Sequence, residues 1–141
     1  MTRVQLVTDD EMLRIAFAIR QRVFVEEQNV DTKIEYDEFE KVSRHFIAFS
    51  GNYPVGAARW RHTDKGIKLE RFAVLITHRG RGVGSALLKA VLENIGDPEG
   101  KILYLHAQNH VIPFYEKFGF QIAGEEFEEA GILHHKMLLS Y

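Results

Sequence analysis

The sequence has no cysteine among its 141 residues. This absence excludes a disulfide scaffold, a thiolate metal site and a cysteine nucleophile. Long apolar runs are missing too, since the longest, such as residues 72–76, fall far short of the ~20 residues that a membrane-spanning helix needs. The amino terminus turns acidic at Asp9 and has neither the apolar stretch nor the cleavage site of a signal peptide. We therefore expect a cytoplasmic protein with no membrane association.

An excess of charge of either sign is also lacking. Eighteen Lys and Arg residues stand against twenty Asp and Glu residues, which gives a net charge of −2 and argues against a dedicated nucleic-acid binder. The length suits one ordinary domain, because domains cluster at roughly 100–150 residues. No linker, internal repeat or low-complexity stretch divides the chain. We predict a single domain over residues 1–141.

The first half of the chain has the pattern of a strand, a helix and a three-stranded meander. Residues 8–11 have the form of a capping box with Thr8 as the N-cap, and apolar residues then recur at spacings of three and four. Residues 26–41 are interpreted as an acidic loop or irregular helix. Strands are predicted at the following positions: residues 4–7, 44–50, 54–61 and 67–74.

The second half alternates helices and strands. We predict a helix over residues 85–95, a strand over 102–107, a short helix capped by Asn109 and ended by Gly119, and closing strands at 120–124 and 133–139. The strand–helix–strand connection across residues 85–95 requires a parallel neighbour. The predicted fold class is α+β, with a mixed, mostly antiparallel sheet of about six to seven strands.

The segment Arg79-Gly80-Arg81-Gly82-Val83-Gly84-Ser85 carries the clearest chemical signal. Its glycines let the backbone approach a ligand closely, and the following helix offers unpaired N–H groups and the positive end of its dipole. Its two arginines suit phosphate. The pattern predicts a polyphosphate site, and a glycine-rich turn with solvated arginines is the alternative.

The identity of the polyphosphate can be narrowed from what the loop lacks. A Walker-type loop ends in Gly-Lys-Ser/Thr, and no lysine follows Gly84. A dinucleotide loop needs a third glycine, where Ser85 or Leu87 stands here. The missing lysine and the missing third glycine both argue against a nucleotide ligand.

Residues 79–84 instead resemble the acyl-CoA pyrophosphate loop of the GNAT superfamily of N-acetyltransferases, Arg/Gln-x-x-Gly-x-Gly/Ala. Residues 72–74 look like the strand that runs beside pantetheine in that family, and Asn109 with residues 113–120 looks like its last block. Residues 22–28 and 69–71 resemble the small bacterial branch that includes the ElaA-type proteins. The resemblance runs from about residue 4 to residue 139, and it implies central strands that splay apart to admit acetyl-CoA.

By this resemblance, the cofactor contacts fall on the strand before the loop, on the loop and on the last helix: Phe72, Ala73, Val74, Arg79, Gly80, Arg81, Gly82, Val83, Gly84, Ser85, Asn109 and Tyr115. Backbone groups of Phe72 and Val74 would pair with pantetheine, and the Val74 amide could polarise the thioester carbonyl. Tyr115 is the expected catalytic residue, because its hydroxyl could protonate or hydrogen-bond the leaving thiolate. The alternative is that Tyr115 is an interface aromatic.

The acceptor side is expected at the first helix and at Glu70. Strand alternation places Glu70 on one face with Phe72 and Val74, where its carboxylate could act as the general base. A Glu paired with a neighbouring strand is the alternative. Glu26, Glu27 and Gln28 are candidates for recognising a cationic amine, which the acidic stretch over residues 26–40 also favours.

Seven histidines invite a metal hypothesis, but we assign no metal. His134 and His135 are adjacent, so on a strand they point to opposite faces, and no His-Glu-x-x-His pattern exists. His62 and His106 are kept as possible acid–base residues.

The predicted function is an acetyl-CoA-dependent N-acetyltransferase that acts by direct attack in a ternary complex. The acceptor is a primary amine, of a small molecule or a protein. The alternatives are a non-catalytic acyl-CoA-binding or sensing module and a nucleotide-binding regulatory domain. A homodimer could form through an apolar edge at residues 137–139.

Overall fold

The computed structural model describes residues 2–139, and eight strands form one mixed sheet within them. Helices and short helical turns cover the two faces of this sheet. The elements in chain order are β1 (Thr2–Leu6), α1 (Asp10–Arg20), a π-helical segment (Gln21–Glu27), α2 (Thr32–Glu35), β2 (Arg44–Ser50), β3 (Tyr53–Thr63), β4 (Gly66–Val74), a 3-10 turn (Ile76–His78), α3 (Val83–Ile95), β5 (Leu103–Gln108), a 3-10 turn (Asn109–Val111), α4 (Ile112–Glu116), β6 (Phe120–Ile122), β7 (Phe127–Glu129) and β8 (Ile132–Leu139).

The sheet consists of two antiparallel parts joined by one parallel pair. Strands β1 to β4 form a meander, and β8 pairs with β5, β6 and β7. The parallel pair β4–β5 covers only Ile67–Leu69 against Leu103–Leu105. The predicted mixed, mostly antiparallel sheet and the parallel link across α3 are confirmed. The strand number was underestimated, because β7 has three residues and too few positions to show alternation.

Each face of the sheet buries its own apolar cluster. The face covered by α3 and α4, here called the α3 face, packs Leu87, Leu88 and Val91 of α3 against the strands. The opposite α1 face packs Ala16 and Ile19 of α1 onto Ile47. Within residues 2–139, none of the helices is both long and apolar enough to traverse a bilayer.

Several helix boundaries differ from the prediction. Asp9, and not Thr8, caps α1, because its carboxylate accepts from the Met12 amide at 2.7 Å. The Asn109 side chain does not cap α4, which begins at Ile112 after a 3-10 turn. Gly119 does take the expected left-handed conformation, with φ of +94°. At α1 the difference is a shift of one residue between two neighbouring polar residues that can both cap a helix.

A β-bulge at Arg71 changes which side chains share a face. Arg71 has φ of +58°, and the β3–β4 register pairs Ala57 with Ala73 but Arg59 with Glu70. The extra residue reverses the alternation between residues 70 and 72. Glu70 therefore lies on the α1 face with Arg59. The expectation that Glu70 shares a face with Phe72 and Val74, both packed on the α3 face, is wrong.

Two buried arginines tie the segment before β2 to the rest of the protein. Arg20, 1% exposed at the end of α1, donates to Glu35 at 2.7 Å and to both carboxylate oxygens of Glu40. Arg59, fully buried on β3, donates to the same Glu40 at 2.8 Å and to Asp37 at 2.7 Å. Glu40 thus bridges two guanidinium groups. Because an unpaired buried charge costs several kcal/mol, this network fixes the segment in one position.

The start of the parallel pair generates a first prediction. Gly66 has φ of +139°, a Cβ there would collide with the Ile102 carbonyl oxygen, and Ile67 N–H donates to that oxygen at 2.8 Å. Gly66→Ala should lower the free energy of unfolding by about 2 kcal/mol or more, through backbone strain and the lost bond. Urea unfolding followed by circular dichroism measures it. In the control Gly51→Ala, open space surrounds the new methyl group, and a loss of about 1 kcal/mol is expected. Equal losses would contradict the prediction.

The ion network predicts acid sensitivity. Burial raises the pKa values of Asp37 and Glu70. Hydrogen bonds and charges from Arg59 and Arg71 nevertheless lower the pKa of Asp37 from 3.8 to about 2, and those from Arg61, Arg59 and Lys68 lower the pKa of Glu70 from 4.5 to about 2. Because the folded pKa values lie below the unfolded ones, the stabilisation is complete above about pH 4.5 and is lost as pH falls towards 2. The loss should be on the order of 2 kcal/mol per group. Urea unfolding across pH 7 to 2 tests this, and Glu70→Gln should be less stable at pH 7 but less acid-sensitive.

Candidate active site

A cleft of about 700 Å³ opens where β4 and β5 separate. The parallel pairing ends at Leu69 and Leu105, although both strands continue along its walls. The side chains of Gln28 and Gln108 cross the opening, and the Gln108 amide donates to Gln28 at 2.9 Å. The cleft therefore interrupts the sheet itself, and both faces of the sheet contribute side chains to it.

The glycine-rich loop forms one end of this cleft. Gly82 takes a left-handed conformation, with φ of +84°, at the N-cap position of α3, and no side chain caps the helix within residues 2–139. Ala86 N–H makes the first helical bond, to the Gly82 carbonyl at 3.0 Å. The preceding amides of Val83, Gly84 and Ser85 are left for a ligand, together with the positive end of the helix dipole. The loop has the geometry of an anion site.

Arg79 occupies a position that the sequence did not reveal. Its Nε donates to the Val74 carbonyl at 2.9 Å, and its terminal nitrogens donate to both carboxylate oxygens of Glu27 at 2.7 Å. The hydrogen bond from Arg79 lowers the pKa of Glu27 below its ordinary value. Arg79, which was predicted to bind phosphate, is thus paired with Glu27, which was predicted to bind the acceptor amine. Arg81 is exposed and does not line the cleft.

The edge of β4 turns backbone groups towards the cleft. Leu75 N–H donates to the Val55 carbonyl on β3 at 2.9 Å. Because backbone groups alternate in direction along a strand, the amides of Phe72 and Val74 point away from β3 and into the gap. The Ala73 side chain is buried on the α1 face, so Ala73 has only backbone to offer a ligand.

Tyr115 lies on α4 with its ring packed edge-on against Phe72, at 6.1 Å between centroids. Burial raises the pKa of Tyr115 well above its ordinary value, with no contribution from a charged group. Tyr115 lines the cleft, where its hydroxyl stays protonated and is available as a donor.

Glu70 is held by cations. Its carboxylate lies 2.6 Å from Arg61 Nε, 3.0 Å from an Arg59 nitrogen and 3.2 Å from Lys68 Nζ. Burial alone would raise the pKa of Glu70, but these groups lower it to about 2. Glu70 is thus paired with arginines of the neighbouring strand β3, which was the alternative to a role as general base. The pairing makes Glu70 a poor proton acceptor at neutral pH.

The remaining predicted residues divide between the cleft and its surroundings. Glu27 and Gln28 line the cleft, and Glu26 does not. The Asn109 side chain also lies outside the lining, where it donates to Glu126 at 2.7 Å and accepts from His135 at 2.8 Å. The structure thus gathers most of the predicted cofactor residues but not Asn109 or Arg81.

The sequence analysis missed one wall of the cleft, which the β7–β8 hairpin provides. Glu129 and His134 lie there beside His106 of β5. The hairpin turns at Ala130 and Gly131, both with positive φ, as a two-residue primed turn requires. Gly131, a turn residue directly before the β-rich stretch over residues 132–139, was the only local signal for this wall.

Comparisons with known proteins agree with this architecture. A family model described as an acetyltransferase (GNAT) domain matches residues 8–141. The uncharacterized N-acetyltransferase YjcF of Bacillus subtilis (strain 168) is 42% identical over 134 residues, which span 94% of this chain and 96% of YjcF. The crystal structure of Escherichia coli ElaA superposes with a TM-score of 0.87 at 29% identity, over 99% of this chain and 100% of that one.

A Bacillus subtilis acetyltransferase solved in complex with CoA has the same fold, with a TM-score of 0.71 at 19% identity over 100% of this chain and 99% of that one. The sheet order, the separated central strands and the glycine-rich loop thus agree with a family match across almost the whole sequence. The chain belongs to the GNAT family of acetyltransferases.

Proposed function

We propose that this protein transfers the acetyl group of acetyl-CoA to a primary amine by direct attack in a ternary complex. The observation that carries the proposal is the gap between β4 and β5. It joins the uncapped start of α3, the free backbone edge at Phe72 and Val74, and the protonated Tyr115 hydroxyl in one cleft. An elongated thioester with a phosphate group at one end fits that arrangement.

The α3 end of the cleft suits the pyrophosphate. The amides of Val83, Gly84 and Ser85 face it, and a Cβ placed at Gly80 or Gly82 would meet nothing within 4 Å, so the loop leaves room for a bulky anion. In the proposal, Arg79 exchanges Glu27 for a phosphate. That exchange is cheap, because both partners are more than a third exposed and such pairs contribute at most about 1 kcal/mol. The CoA held by the Bacillus subtilis neighbour supports the same ligand class here.

The chemistry needs an oxyanion donor and a partner for the leaving sulfur. The amine nitrogen forms a bond to the thioester carbonyl carbon, and the carbon–sulfur bond breaks. The Val74 amide points into the gap and is placed to stabilise negative charge on the carbonyl oxygen. Tyr115 hydrogen-bonds the departing thiolate. Because burial raises the pKa of Tyr115 above that of a free phenol, its hydroxyl keeps its own proton and donates a hydrogen bond as the sulfur charge develops.

The acceptor in this proposal is a cationic primary amine, of a small molecule or a protein. Glu27 and Gln28 lie at the mouth of the cleft and follow α1. The surrounding segment over residues 26–40 is rich in carboxylates, which attract a cation before it binds. Glu26 stays a prediction for the same role.

The ion pairs of Glu70 favour one alternative function. A general base at that position stays a prediction, and three cations already neutralise its carboxylate. A module that binds acyl-CoA without turnover would have the same loop and cleft and would need no base. Activity and binding must therefore be measured separately.

The cofactor site is tested by Gly82→Asp. The Asp carboxylate would accept hydrogen bonds from the amides at the start of α3, and its negative charge would repel the phosphates. Titration calorimetry with acetyl-CoA should show saturable binding by the wild type and at least about 100-fold weaker binding by the variant, roughly 3 kcal/mol. Gly51→Asp is the matched control, because it places the same charge at another left-handed glycine outside the cleft. Wild-type protein that fails to bind acetyl-CoA would contradict the proposed function.

The role of Tyr115 is tested by Tyr115→Phe, which removes one oxygen and keeps the packed ring. We expect kcat to fall by about 10- to 100-fold in a CoA-release assay with a panel of primary amines, because the developing thiolate loses its donor. The Kd for acetyl-CoA should change less than threefold, within roughly 0.6 kcal/mol. Tyr53→Phe is the control, since Tyr53 is exposed on β3. Turnover that is unaltered in Tyr115→Phe would contradict the role of Tyr115, and a wild type that binds acetyl-CoA but turns over none of the amines would support the binding-module alternative.

A further inference from the structure

The β7–β8 hairpin and β5 together bring three titratable side chains to the α1 face of the cleft. The Phe127 ring lies between two imidazoles: His134 stacks on it with centroids 5.7 Å apart, and His106 meets it edge-on at 5.0 Å. The Glu129 carboxylate faces both rings, 3.4 Å from His106 Nδ1 and 3.7 Å from His134 Nε2. The function proposed so far uses none of these residues.

The tautomer of His134 follows from its backbone contact. Its Nδ1 lies 2.7 Å from the Ile132 carbonyl oxygen. A carbonyl oxygen only accepts, so Nδ1 carries the hydrogen and, in the neutral ring, the lone pair is on Nε2. That atom makes no hydrogen bond, since Glu129 at 3.7 Å is too distant. His134 lines the cleft, so Nε2 is the ring nitrogen that it offers to a ligand there.

Glu129 adds a negative charge beside this nitrogen. The hydrogen bond from His106 lowers the pKa of Glu129 below its ordinary value, so its carboxylate is ionised at neutral pH. Its side chain is 43% exposed and open to a ligand. The other charged groups around the cluster are Lys68 and Glu70 of β4 and Lys136 of β8, and Lys68 is already paired with Glu70.

We propose that His134 is the general base of the acetyl transfer and that Glu129 binds the ammonium form of the amine. This inference rests on the proposed function. In the reaction, R–NH₃⁺ docks on Glu129 and gives one proton to His134 Nε2. The resulting amine attacks the thioester carbonyl carbon, and the carbon–sulfur bond breaks. The second nitrogen proton goes to the thiolate, to which the Tyr115 hydroxyl donates a hydrogen bond, and the His134 proton is released to solvent.

His134 fits this role better than the other candidate bases. The carboxylate of Glu70 has three cations around it. The Nδ1 of His106 approaches Glu129 to 3.4 Å, so this ring is tied to the carboxylate that receives the ammonium group.

The test is the pH dependence of kcat/KM in the presence of saturating acetyl-CoA, with spermidine and L-lysine among the amines. The wild type should show an acid limb that His134→Gln lacks, because a protonated imidazole accepts no proton. The variant should lose about 100-fold or more in kcat/KM. The structure places His62, a possible acid–base residue from the sequence, on the exposed part of β3 outside the cleft, so His62→Gln should keep the wild-type profile. Loss of the limb in His106→Gln, with its retention in His134→Gln, would overturn the assignment.

Glu129→Gln provides a second test that leaves the buried histidine in place. The KM for spermidine should rise about two- to fivefold while kcat changes less, as expected for an exposed ion pair. Glu128→Gln is the matched control, because Glu128 is the neighbouring carboxylate on the same strand and points to the opposite face. Equal effects of the two variants would count against the ammonium site.

A readout independent of activity separates this proposal from the proposed function. Two-bond ¹H–¹⁵N correlation spectra of labelled protein should show neutral His134 with its proton on Nδ1, and a proton on Nε2 would refute the base assignment. Calorimetry with acetyl-CoA tests the function by itself. A wild type that binds acetyl-CoA but acetylates no amine overturns the base assignment, while a wild type that binds none overturns the function on which it rests.

Discussion

The short parallel pairing between β4 and β5 is the constraint on which the rest of the molecule depends. It lasts for three residue pairs, and beyond Leu69 and Leu105 each strand has an edge without a neighbour. Backbone N–H and C=O groups inside a protein need partners, so these edges are suited to a ligand with hydrogen-bonding groups along its length. The bulge at Arg71 lies where the separation begins and increases the local twist of β4.

The buried ion network keeps the two sides of that gap chemically different. Arg20 and Arg59 fasten the segment around Asp37 and Glu40 over the α1 face, so that face presents charged groups to the cleft. The α3 face presents Tyr115 and apolar rings instead. In the proposed function, an acyl donor with an apolar arm and a charged amine would each meet a matching wall. The carboxylates of the network form ion pairs with the two arginines. For this reason the acidic stretch in the sequence does not make the pocket equally acidic.

The parts that could be predicted from the sequence are those set by neighbours along the chain. The loop over residues 79–85 and α3 follow from local glycine, arginine and apolar spacing, and the structure brings Arg79 and Gly82 to the cleft as expected. The bulge could not be predicted, because a left-handed conformation at a non-glycine residue such as Arg71 has no sequence signature. The Arg79–Glu27 pair joins residues 52 positions apart. The wall of the cleft that the β7–β8 hairpin provides could not be predicted either, because the three residues of β7 carry almost no pattern.

The bulge and the gap together explain how an acid and a base can meet without neutralising each other. Tyr115 belongs to the α3 face, and Glu129 and His134 belong to the α1 face. In an unbroken sheet the backbone would separate these groups. Only in the gap do both faces open to one cavity, and only a bound donor and acceptor would span it. In the proposed reaction the proton taken on one face and the thiolate formed on the other are therefore linked through the substrates. This makes transfer depend on the presence of both substrates at once.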